Sequence, residues 1–70
     1  MVYRIVTTFE TLYTREREVK IESTPDLQAA KGAFSIYLMN PEVVSCTLDR
    51  VPREDCPTAG HIIAAYNPRA

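Results

Sequence analysis

Residues 2–12, VYRIVTTFETL, alternate in the manner of a half-buried strand. Tyr3, Ile5, Thr7 and Phe9 fall on one side of an extended chain, and Arg4, Thr8 and Glu10 on the other, joined there by Val2 and Val6. After a turn at 13–16, residues 17–23 (REVKIES) alternate again. This predicts a hairpin with Val19 and Ile21 inward and Glu18, Lys20 and Glu22 toward water. The spacing then lengthens to that of a helix. In STPD (23–26), Ser23 or Thr24 supplies an N-cap, Pro25 is tolerated in the first turn, and Asp26 suits the positive helix end. The helix is expected over 25–39 and stops at Asn40, because Pro41 disfavours helical geometry in the residue before it. Leu27, Ala30, Ala33, Phe34, Tyr37 and Leu38 form its apolar stripe. Ile36 and Met39 fall off that stripe, beside Gly32 and Gln28.

A third strand follows at 42–51 (EVVSCTLDRV), with Val44, Cys46 and Leu48 on one face. Residues 52–60 form a loop, HIIAAYN (61–67) a fourth strand, and 68–70 a tail. The pattern is β-β-α-β-β, an α+β fold. Each hairpin makes its strands antiparallel, and a helical crossover makes the second and third strands parallel to each other. A crossover passing over the first strand gives the order 2-1-3-4, with one helix on one face of a four-stranded antiparallel sheet. The other face is expected to show Arg4, Thr8, Glu18, Lys20 and Glu22.

In that order the second and fourth strands are edges. Charges guard the second, whereas HIIAAYN has no Asp, Glu, Lys or Arg and no internal proline or glycine. Unprotected apolar edges in proteins are normally covered, so a second copy or a partner's strand is expected to pair here. The alternative is an interior position in another strand order. The expected contact residues are Ile62, Ile63, Ala65 and Tyr66, with Ile36 and Met39 as a second apolar spot on the helix.

Seventy residues suffice for one domain, with 46% hydrophobic and 24% charged residues. A chain of this size buries only about 60% of its unfolded surface, and association is a common supplement. The net charge of −1 lacks the basic excess of a nucleic-acid or anionic-membrane binder. The one basic cluster, Tyr13, Arg15, Arg17 and Lys20 in YTREREVK, is interleaved with Glu16 and Glu18; a small contact patch for phosphate or an acidic surface is its functional alternative. No apolar run reaches the roughly 20 residues of a membrane span, and MVYRIVTTFE has no basic-then-apolar leader, so a cytoplasmic protein is expected.

Chemistry-bearing residues are sparse. His61 is the single histidine, and Cys46 and Cys56, expected as reduced thiols, are the only cysteines. A zinc site needs three or four ligands, and two glycines provide no phosphate-cradling loop. No cofactor, metal or catalytic residue is expected; a thiol-dependent enzyme using Cys46 or Cys56 is a remote alternative.

The layout, with the helix opening STPDLQAAKGAF between two hairpins, resembles the very small accessory proteins encoded by bacteriophages and prophages, including some anti-CRISPR inhibitors of β-β-α-β-β order. The resemblance spans residues 2–66 and is one of architecture, so no functional residue is carried over. It implies a protein that binds and inhibits or modulates a host protein or complex inside the bacterial cell. Relatives that mimic DNA are strongly acidic, and this chain is not. A weak nucleic-acid-binding accessory protein is the alternative from another class.

Overall fold

The computed structural model describes residues 1–53 and 60–67. Strands β1 (Val2–Glu10) and β2 (Arg17–Thr24) form the first hairpin. Helix α1 (Leu27–Leu38) follows, then strands β3 (Val43–Val51) and β4 (His61–Tyr66). The sheet order is β2-β1-β3-β4 and every neighbouring pair is antiparallel, as the connectivity requires. The fourth strand is therefore an edge. Helix α1 lies chiefly over β3 and β1, and reaches β2 only along its flank.

Strand β1 ends two residues earlier than its alternation suggests, because Thr11 opens the turn. The Thr11 amide donates to the Glu16 carbonyl at 2.9 Å, and the Arg15 amide donates to the Thr11 carbonyl at 3.1 Å. The Thr11 hydroxyl accepts from the Glu16 amide. Arg15 takes a left-handed backbone (φ 63°), uncommon away from glycine. Six residues, 11–16, thus separate Glu10 from its partner Arg17.

That even number overturns the expected faces of β2. Directly opposed residues share a face of the sheet, and the register pairs Ile5 with Glu22, Thr7 with Lys20 and Phe9 with Glu18. Glu18, Lys20 and Glu22 therefore stand on the helix side. Val19 and Ile21 stand on the open side, opposite Thr8 and Val6. The polar residues are accommodated because the helix does not cover β2. The Tyr37 hydroxyl donates to Glu22 Oε1 at 2.8 Å, Lys20 Nζ lies 3.0 Å from the same atom, and the ammonium sits 5.8 Å from the Tyr37 ring centre.

The helix begins two residues later than expected, and its cap is neither Ser23 nor Thr24. Asp26 caps it: Oδ1 accepts from the Gln28 amide at 3.0 Å. Thr24 acts one step earlier, its hydroxyl accepting from the Asp26 amide. Aspartate is among the strongest N-cap residues and also favours the positive end of the helix dipole. After Met39, the Asn40 side chain accepts from the Glu42 amide and turns the chain into β3.

The core contains Ile5, Ala30, Val43, Cys46 and Leu48, with Tyr3, Phe9, Ala33, Phe34, Tyr37, Leu38 and Ala64 packed around it. The Phe9 and Tyr37 rings meet edge to face at 5.8 Å. Val43 takes the core position expected for Val44. The register steps from Thr8–Ser45 to Phe9–Val43, leaving Val44 as the extra residue of a bulge. Ile36 and Met39 are exposed, on the side of α1 that the periodicity assigns them.

A Cβ built on Gly32 meets nothing within 4 Å. Gly32→Ala is accordingly expected to raise stability by roughly 0.5–1 kcal/mol, the helix-propensity difference. Urea denaturation followed by circular dichroism measures it; a loss of stability would mean that position 32 is occupied in the folded protein.

Candidate functional site

The open face of the sheet concentrates the unusual features. Its residues can be read from the ladder row by row. Ile21, Val6, Thr47 and Ala65 lie across the four strands in one row, and Val19, Thr8 and Ser45 make the next. On the other side of the Ile21 row lie Ser23, Arg4, Asp49 and Ile62. Between Asp49–Ile62 and Leu48–Ala64 the register slips, so Ile63 is the extra residue of β4. Two positions before Ala65, it falls on the open side as well. Ile21 is 63% exposed, Val19 57%, Ile62 51% and Ile63 38%. Aliphatic groups thus flank the face on β2 and β4, with small hydroxyl residues between them.

The charges on this face are paired within it. Arg4 Nη2 donates to Asp49 Oδ2 at 2.9 Å, and Arg4 Nε lies 3.4 Å from Oδ1. Arg17 Nε reaches Glu10 Oε1 at 3.4 Å. Asp49 is almost fully buried, and its Oδ2 also accepts from the Gly60 amide at 3.1 Å. That contact fixes where β4 begins. Only glycine fits there, because a Cβ at position 60 would come 2.0 Å from the Arg50 carbonyl oxygen.

The residues expected to meet a partner are divided among three surfaces. Ile62, Ile63 and Ala65 are on the open face. Tyr66, paired with Cys46, is on the helix side of β4, and Ile36 and Met39 lie on the helix. The basic cluster is divided too: Tyr13 and Arg15 belong to the turn, Arg17 to the open face and Lys20 to the helix side. Ion pairs engage Arg17 and Lys20. Val19 and Ile21, which the alternation assigns to the core, are the largest additions to the site. The signal for them was the parity of the hairpin loop.

The titratable groups on the helix side serve packing. The hydrogen bond with Lys20 holds the Glu22 carboxyl below its ordinary range, and the Glu22 hydrogen bond raises Lys20. Burial, followed by the bond to Glu22, pushes the Tyr37 hydroxyl up. Burial also raises the Cys46 thiol. Cys46 is a free, buried cysteine with Sγ 3.4 Å from the Thr7 hydroxyl, so little nucleophilic thiolate forms there. Cys56 lies outside the described residues. Among the described residues, no group of three His, Cys, Asp or Glu side chains is arranged to hold a metal ion, and no helix is long and apolar enough to cross a membrane. Comparison with family models, curated proteins and solved structures finds no match.

Proposed function

We propose that this protein is a small protein-binding module that works through the open face of its sheet. The observation that carries the reading is the exposure of Val19, Ile21, Ile62 and Ile63 on one face whose charges are already paired. Isolated exposed aliphatics are ordinary, but several on one continuous sheet face are the usual mark of an interaction surface. The architecture supports the more specific role of a phage-type inhibitor or modulator, of the anti-CRISPR or other anti-defence kind, that binds a bacterial host protein without chemistry of its own.

The test is affinity purification of the tagged protein from its host, alongside the variants Ile21→Lys and Ile36→Glu. Both positions are exposed, so both chains should keep the wild-type circular dichroism spectrum. A stoichiometric protein that is retained by Ile36→Glu and lost with Ile21→Lys supports the open face. Capture unaffected by Ile21→Lys, or lost only with Ile36→Glu, moves the interface to the helix. Recovery of no stoichiometric protein from any of the three removes the host-protein role.

A further inference from the structure

We propose that the open face is covered by a second copy of this chain, packed sheet against sheet about a dyad that runs along the strands. The proposal rests on reading this face as a protein interface, and it names the occupant. A twofold contact sets the same patch on both sides, so the patch must complement itself. This one does. Its strand residues carry two basic and two acidic groups, joined in the Arg4–Asp49 and Glu10–Arg17 pairs, so like meets like without net repulsion. The central Thr8, Thr47 and Ser45 hydroxyls each donate and accept, and identical groups facing one another across a dyad can therefore bond.

The placement of the aliphatic residues selects the axis. A dyad along the strands sets β2 of one copy over β4 of the other, bringing Val19 and Ile21 against Ile62 and Ile63. A dyad across the strands would set β2 on β2 and lose that match. Aligned sheets pack about 10 Å apart with strands within about 30°, an arrangement made by aliphatic side chains of this size. The area is sufficient but modest. Four strands about 4.8 Å apart and about six residues long give a face of roughly 400 Å² in flat projection. Side-chain relief enlarges the accessible area, so two copies together bury a total near the ~1,000 Å² at which specific interfaces begin. Such a dimer is reversible and concentration-dependent. It also gives a second apolar layer to a chain whose largest fully buried side chains are Leu48, Val43, Val51, Thr7 and Cys46, with no aromatic among them.

Light scattering and sedimentation of the purified protein, from about 10 μM to about 1 mM, test this. The mass is expected to rise toward twice the chain's 7.9 kDa and to stay at one chain's value in Ile21→Lys. Val19→Lys serves as a second variant should Ile21→Lys fail to fold, judged by circular dichroism. Strand β2 lies about 14 Å across the sheet from β4, so a dimer joined edge to edge through β4 would survive either change. A folded Ile21→Lys or Val19→Lys protein that still dimerises overturns the sheet-to-sheet arrangement, and a wild-type protein monomeric at about 1 mM overturns the dimer. If that monomer nevertheless captures a host protein in an Ile21-dependent way, the face is an interface with a different occupant, and the function proposed above stands. Loss of both behaviours removes that function as well.

Discussion

Replacing Leu48 by alanine is expected to lower stability by about 3 kcal/mol and the melting temperature by roughly 12–24 °C. Leu48 is fully buried on β3, an interior strand, between Ile5 of β1 and Ala64 of β4. Its neighbours on two sides, Ala30 and Ala64, are too small to swing into the space it would leave. The cavity therefore persists, and its cost adds to the lost burial of the side chain. At about 0.05–0.15 kcal/mol per residue, a chain of this length has roughly 4–10 kcal/mol of stability in all. One leucine thus decides whether a large fraction of the molecules stays folded near 37 °C. Urea and thermal unfolding measure the effect, with Ile36→Ala as a surface control that should change stability by no more than about 0.5 kcal/mol. A loss below about 1 kcal/mol at Leu48 would mean that α1 does not close over β3 as described.

Strand order was legible because it follows from few quantities: two hairpins, one crossover and the direction each imposes. The faces were less legible. Alternation in REVKIES establishes a period of two but not which half of it points to the core, and the apolar residues of β2 were assigned inward on composition. The deciding information was the parity of the turn. A four-residue loop at 13–16 and the observed six-residue loop at 11–16 both pair odd positions of β1 with even positions of β2, and either puts Val19 and Ile21 on the open side. The bulges at Val44 and Ile63 were not legible, since an extra residue in one strand shows only against its partner. Helix phase survived the shifted start, because Ile36 and Met39 depend on spacing from Leu38 and not on which residue of STPD caps the helix. Of the site, Ile62, Ile63 and Ala65 stood out as an unguarded strand. The Arg4–Asp49 pair, 45 positions apart in sequence, could be found only once β1 and β3 were neighbours.

That pair carries the last expected result, for Asp49→Ala: a destabilisation of about 3 kcal/mol, together with faster exchange of the β4 amides. Breaking a buried ion pair from one side costs about 3–5 kcal/mol, because the remaining charge loses its partner without regaining water. The low end applies here, since the Arg4 side chain is 11% exposed and can turn partly toward solvent. Asp49 has a second duty, accepting from the Gly60 amide, and its loss releases the start of β4. Hydrogen exchange should therefore show β4 losing more protection than β1 or β3, beyond the global change. A double-mutant cycle separates the two duties. In Arg4→Met with Asp49→Asn, no guanidinium is left without its carboxylate, while the Asn carbonyl can still accept from Gly60. The double variant is expected to be clearly more stable than the sum of the single losses predicts. Strict additivity would show that Arg4 and Asp49 act independently. Unchanged β4 protection in Asp49→Ala would show that the Gly60 contact does not hold the strand. Because Ile62 and Ile63 follow that anchor directly, loosening it should also weaken every contact made through the open face, even in chains that remain folded.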